Sequence, residues 1–285
     1  KTTTSTLVSH LFTDSGEGCS AFLGGISKNY DSNLLIDENN VIVAEADEFD
    51  RSFLQLFPEI AVITSMDPDH LDIYGDEAHI REAFKAFASQ VSGTVIVKYG
   101  LDITPEDTKA KIATYAYDNP SADFYAEPLE GEHFNLHYPG GVIEDCVVGI
   151  PGWVNIENGT GAAAIALTYG IDPLKIKKAL ASFSGVKRRF DKQLEKDGII
   201  YIDDYAHHPN EISAAISSIK GRYPDHKFTA MKLGLMTKGE HDSVIKFYEN
   251  GFNSLEDPTC ITENPGFFQE LISMYEALPG PATFS

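Results

Sequence analysis

The chain has 285 residues, 42% of them hydrophobic and 23% charged, a composition ordinary for a soluble globular protein long enough for two domains. Its 43 acidic against 22 basic residues leave a net charge of −21, which argues against nucleic acid or an anionic membrane as a partner, since phosphate backbones are held by clustered Lys and Arg. A nucleotide stays open, because it needs only one local cation and a few backbone amides.

The first predicted element is a helix beginning KTTTSTLVSHLF, and two readings of it stand. Lys1 and Thr2 match the end of the phosphate-loop pattern G-x-x-x-x-G-K-[ST]. In that pattern loop amides cradle the phosphates, the lysine reaches the outer phosphates and the hydroxyl binds Mg²⁺. Alternatively, Thr2, Thr3 and Thr4 cap a helix whose apolar face carries Leu7, Val8, Leu11 and Phe12.

Three short, uniformly apolar runs follow: NVIVAEADEFD (40–50), EIAVITSMDPDHLD (59–72) and GTVIVKYG (93–100). Runs of this kind are buried on both faces, which predicts a parallel sheet covered by helices. A helix over 77–91, with Ile80, Phe84 and Phe87 on one face, lies between the second and third. The fold class is therefore α/β, with ligands expected beyond the carboxyl ends of the strands, where Glu45, Asp67, Asp69 and His70 fall. From about residue 112 to 150 the runs ATYAY, DFYAE, HFNLHY and EDCVVGI alternate and predict antiparallel strands appended to that sheet.

Helices are predicted over 155–171, stopped at Gly170, and over 172–183, with Asp172 as N-cap and Pro173 in the first turn. GVKRRFD (185–191) reads as a basic hinge, and the domain boundary is placed there, between 186 and 187. A strand (198–204), a turn YAHHP and a helix from Asn210 to Lys220 then open a second α/β unit. Cys19, Cys146 and Cys260 are far apart and odd in number, which predicts reduced thiols in a cytoplasmic protein. No run approaches the roughly 18 apolar residues of a membrane span, and no signal peptide pattern opens the chain.

Six stretches together resemble the Mur ligases: KTTT (1–4), EADEFDRSFL (45–54), DPDHLDIYGD (67–76), NIEN (155–158), GVKRRFD (185–191) and DDYAHHPNEI (203–212). Each is weak alone; six in the family's order are a specific signal, and they favour the phosphate-loop reading of Lys1. The DRSFL and RRFD details resemble the members that add L-alanine. The resemblance implies a parallel-sheet P-loop ATP-binding domain (1–186) with appended antiparallel strands. A second, incomplete Rossmann-like C-terminal domain (187–285) follows it. The implied reaction belongs to peptidoglycan precursor synthesis: ATP phosphorylates the carboxylate of UDP-N-acetylmuramate, and the amine of L-alanine attacks the acyl phosphate. Another Mur-type or folylpolyglutamate-type ligase, or a non-catalytic ATP-binding module, is the alternative.

Residue by residue, the resemblance implies that Lys1 meets the outer phosphates, with Thr2 and Thr3 beside them. Thr2 and Glu45 would hold Mg²⁺, and His70 a second metal near the acyl phosphate. Asn155 and Asn158, one turn apart, would contact adenine; Val154 stands where the family usually has a histidine. Arg189 would reach ATP from the hinge, Asp204 the ribose, and Tyr205 and His207 the amino-acid and muramoyl site. His70, His207 and Lys1 are the residues expected to act in catalysis. The family's UDP-binding domain and the glycines before the lysine have no counterpart here, so a piece of a larger enzyme, inactive alone, is expected. After KFTA (227–230) the motifs stop, and no arginine occurs from Met231 to Ser285.

Overall fold

The computed structural model describes residues 1–67, 74, 76–196, 198–206 and 209–226. Contacts divide the chain into a first compact unit, Lys1–Tyr205, and a second that begins at Ala206. The first unit opens with α1 (Thr2–Asp14). Leu7, Val8, Leu11 and Phe12 are all buried, as their helical spacing predicts. The threonine cap is not formed: Lys1 occupies the N-cap position without a side-chain cap bond, and the threonine hydroxyls turn elsewhere.

Strands β1 (Ser20–Ser27) and β2 (Ser32–Leu35) pair antiparallel, and β3 (Ile42–Ala44) pairs parallel to β1. Neither β1 nor β2 was legible in the sequence: two glycines interrupt the apolar pattern of the first, and the second has only four residues. A 3-10 segment, Phe49–Gln55, buries Phe53. The main sheet has six strands in the order β4 (Ile60–Ile63), β5 (Thr94–Lys98), β6 (Lys111–Tyr117), β7 (Phe124–Pro128), β8 (Phe134–Tyr138) and β9 (Gly141–Cys146). Between β4 and β5 the chain forms α2 (Glu77–Gln90). Val95 and Val97 of β5 face the core beside α2, and Ile96 faces the opposite side, so this strand is covered on both faces.

Two expectations about the strands are corrected. The run 40–50 forms β3 of the separate three-stranded sheet, with Ile42 exposed, and is not a strand covered on both faces in the main sheet. Of the four runs between 112 and 150, only β8 and β9 are antiparallel; β6 and β7, which carry ATYAY and DFYAE, extend the parallel sheet. The short connection 118–123 suggested a hairpin. The register pairs Phe124 with Tyr115, two residues before β6 ends, so the chain returns over only about 7 Å before running parallel again.

Helix α3 (Trp153–Tyr169) ends at left-handed Gly170, as expected, and buries Ala162, Ala163, Ala164 and Ala166. Asp172 caps α4 (Pro173–Ser182) by accepting from the amides of Leu174 and Lys175. Helices α1, α3 and α4 share one apolar core with β1 and β7–β9; α2 closes a second against β4 and β5. The hairpin β10 (Asp191–Lys196)–β11 (Ile199–Asp203) groups with this first unit. The link before it is pinned to the end of β1: the Lys28 amide donates to the Gly185 carbonyl and that of Lys187 to the Ile26 carbonyl, both at 2.9 Å. The second unit contains α5 (Pro209–Arg222). Among the described residues no helix is long and apolar enough to cross a membrane.

Candidate nucleotide and metal site

The first turn of α1 meets the carboxyl end of β3. Thr2 is buried there, and its Oγ1 donates to Glu45 Oε1 at 2.9 Å. The other carboxylate oxygen, Oε2, accepts from Ser5 Oγ at 3.0 Å and from the Gly24 amide of β1 at 2.8 Å. Arg189 reaches the same point from the link before β10, its Nη2 donating to Thr2 Oγ1 at 3.4 Å. The Thr2 hydroxyl thus meets a side chain 187 positions away.

Lys1 stands next to this group with its Nζ 2.6 Å from Asp47 and 2.7 Å from Glu48. Burial works against its charge, but the bonds to the two carboxylates outweigh it and hold its pKa above the ordinary lysine value. Any anion that binds this ammonium would have to compete with Asp47 and Glu48. Neither acid was singled out as a partner of Lys1 in the sequence.

A hydroxyl and a carboxylate side by side are hard oxygen donors, and they suit Mg²⁺. Among the described residues no group of three His, Cys, Asp or Glu could hold a metal. A cation bound by Thr2 and Glu45 as neighbouring ligands would draw its other ligands from water and phosphate, which is the habit of Mg²⁺. The residues present fit the ion.

Asn155 and Asn158 lie in the first two turns of α3. Asn155 is buried, with its amide nitrogen 2.5 Å from the Pro151 carbonyl. Asn158 Oδ1 accepts from Thr4 Oγ1 at 3.1 Å, which ties α3 to the turn that carries Thr2; its nitrogen is 3.5 Å from Asn155 Oδ1. Thr3 lies half-buried in the same turn of α1. Asp204 Oδ2 accepts from the Phe190 amide at 2.7 Å, and the Tyr205 amide donates to the Arg188 carbonyl at 2.8 Å. The guanidiniums of Arg188 and Arg189 lie 5.3 and 5.1 Å from the Tyr205 ring centre. Arg189 is flanked by two residues with left-handed backbone, Arg188 at φ 61° and Phe190 at φ 48°, a strain held by these bonds.

Thr2, Glu45 and Arg189 are therefore brought together, as are Asn155 with Asn158 and Asp204 with Tyr205 and the Arg189 link. His70 and His207 lie outside the described residues. Ser5 and Gly24 went unnoticed in the sequence. Ser5 had a signal: it stands one helical turn after Thr2, on the same face.

The Mur ligase middle domain matches residues 1–166, and the Mur ligase glutamate ligase domain matches residues 188–257. The chain belongs to the Mur ligase family. The second match runs past Met231, so the likeness of this Mur ligase to its family extends beyond its recognisable motifs. It is 42% identical over 263 residues to UDP-N-acetylmuramate–L-alanine ligase of Porphyromonas gingivalis, covering 90% of this chain and 57% of that protein. To the protein of the same name from Phocaeicola vulgatus it is 46% identical over 238 residues, covering 81% and 52%. The crystal structure of UDP-N-acetylmuramate-alanine ligase from Thermotoga maritima superposes with a TM-score of 0.68 at 26% identity, over 80% of this chain and 53% of that one. This Mur ligase chain spans about half the length of the curated relatives it matches.

Proposed function

We propose that these residues form the nucleotide-handling part of an ATP-dependent ligase that joins L-alanine to UDP-N-acetylmuramate. The muramoyl carboxylate takes the terminal phosphoryl group of ATP and releases ADP. The alanine amine then attacks the acyl carbon, phosphate leaves, and an amide remains. Residues 1–186 are read as the ATP-binding domain and 187–285 as the C-terminal domain. The observation that carries the proposal is the 2.9 Å contact of Thr2 with Glu45, reached by Arg189 across the fold. The names of the relatives support the choice of substrates.

Bound Mg²⁺ would supply an electrostatic clamp on phosphate oxygens. In this reading Thr2 and Glu45 hold it. Lys1 exchanges its carboxylate partners for phosphate, and Arg189 adds positive charge where charge develops on the phosphoryl group. By resemblance, Asn155 and Asn158 are assigned to adenine, and Asp204 and Tyr205 to the ribose and amino-acid side. His70 and His207 are assigned by resemblance to the second metal and the muramoyl site.

In the full-length enzyme, Glu45→Ala is expected to abolish phosphate release that depends on both L-alanine and UDP-N-acetylmuramate, leaving the circular dichroism spectrum intact. The expected loss is on the order of several kcal/mol of transition-state stabilisation. Turnover close to that of the parent would remove Glu45 from the site.

A further inference from the structure

We infer that the Ser5 hydroxyl and the Gly24 backbone amide are positioning groups that aim the Glu45 carboxylate at Thr2. The inference rests on the reading of Thr2 and Glu45 as the metal ligands. A glutamate side chain at a strand end has three rotatable bonds, so its carboxylate is oriented only if something fixes it. Oε2 is fixed from two sides, by Ser5 Oγ at 3.0 Å and by Gly24 N at 2.8 Å. That leaves Oε1 turned to Thr2. The Thr2 hydroxyl donates along this bond and accepts from Arg189 Nη2 at 3.4 Å. Ser5 has a second acceptor, the Thr2 carbonyl at 3.0 Å. The carboxylate is the stronger acceptor of the two, because its charge assists the bond.

Gly24 contributes more than its amide. A Cβ at this position would stand 2.5 Å from Glu45 Oε1 and 2.6 Å from Oε2. The carboxylate therefore lies flat over the strand at a place only glycine leaves open. The next residue repeats the requirement: a Cβ on Gly25 would meet Val186 Cγ1 at 2.7 Å and Thr2 Cγ2 at 3.0 Å. The glycines that hid β1 from sequence reading are where the Glu45 carboxylate, the Thr2 side chain and Val186 of the link to Arg189 lie against it.

Groups that orient a metal ligand without touching the metal typically change metal affinity 10–100-fold when removed. The test uses the full-length enzyme with a non-hydrolysable ATP analogue and Mn²⁺ as the probe, its binding read by electron paramagnetic resonance. Ser5→Ala is expected to weaken Mn²⁺ roughly tenfold while leaving metal-free affinity for the analogue and the thermal midpoint unchanged. Ser5→Thr, which restores the hydroxyl, is expected to recover it. Gly24→Ala keeps the amide but displaces the carboxylate, and is expected to weaken Mn²⁺ by at least as much. Glu45→Ala serves as the reference. If it weakens Mn²⁺ while Ser5→Ala and Gly24→Ala both leave it unchanged, the positioning role is overturned and the metal reading stands. If Glu45→Ala itself leaves Mn²⁺ binding unchanged, the metal reading fails and this inference with it.

Discussion

His10 shows how far a single side chain departs from what its place in a helix suggests. It lies on α1 among the buried residues, with Nδ1 2.8 Å from Tyr30 Oη and Nε2 2.9 Å from Ser182 Oγ. A neutral imidazole, with one ring nitrogen donating and the other accepting, satisfies both contacts. Burial pushes the imidazole pKa below its ordinary value, against the opposing pull of Asp14 and a bond to the Ala179 backbone. The sign follows: below about pH 6.5 the unfolded chain takes up a proton that the folded chain resists. The stability tied to neutral His10 is therefore complete above that pH and is lost as the pH falls below it. His10→Gln, which keeps a polar contact but cannot titrate, is expected to reduce the fall in thermal midpoint between roughly pH 7 and pH 5. Equal falls in parent and variant would show that His10 does not carry the effect. At this scale the sequence was legible where motifs mark residues that meet in the fold, as Thr2 and Glu45 do. It was silent on His10, Ser5 and Gly24, whose partners lie far along the chain.

Among the elements, α3 has an unusual start. Its N-cap residue is Gly152, which has no side chain to offer, and the Gly152 amide donates instead to Glu132 Oε1 at 2.8 Å, from the turn before β8. A carboxylate there also faces the positive end of the helix. Glu132 takes a left-handed φ of 65° to do so. Glu132→Ala is expected to cost about 1 kcal/mol of stability, with Glu132→Gln between it and the parent, by denaturant titration. Because Asn155 stands in the first turn of α3, a change at its start should also be felt at the candidate adenine contact. A Glu132→Ala protein as stable as the parent would mean that water caps the helix equally well. Helices were the most legible elements, since α1, α2, α3 and α4 each carry caps or an apolar stripe in contiguous residues. Strand direction was the least legible: alternation in β6 and β7 reports burial, and nothing in it distinguishes a parallel from an antiparallel neighbour.

For the whole molecule, Cys19 and Cys146 act as built-in reporters. They stand at distant points of the chain but belong to the same core, together with Leu11, Phe134 and Leu180. Burial pushes both thiols up to about 11, slightly eased by Thr13 beside Cys19 and Lys177 near Cys146. Neither is expected to react with a disulfide reagent at neutral pH in the native protein. In a Cys260→Ser background, both should become reactive over the same denaturant range if this core opens as one cooperative unit. Labelling of Cys146 well before Cys19 would show instead that the β8–β9 edge opens separately.

The sequence alone determined the α/β class, the covered strands β4 and β5 and the stretches that form helices, because these follow from the order of apolar, polar and capping residues within a few turns. It also carried the family, because six short motifs keep their order along the chain. Only the tertiary structure decided which strands run parallel beyond β5, and that the link carrying Arg189 is pinned to β1. It alone decided that the Glu45 carboxylate rests on a glycine-bearing strand and is aimed at Thr2. Those outcomes depend on distances between segments remote in sequence, and a local pattern of residue types has no term for them.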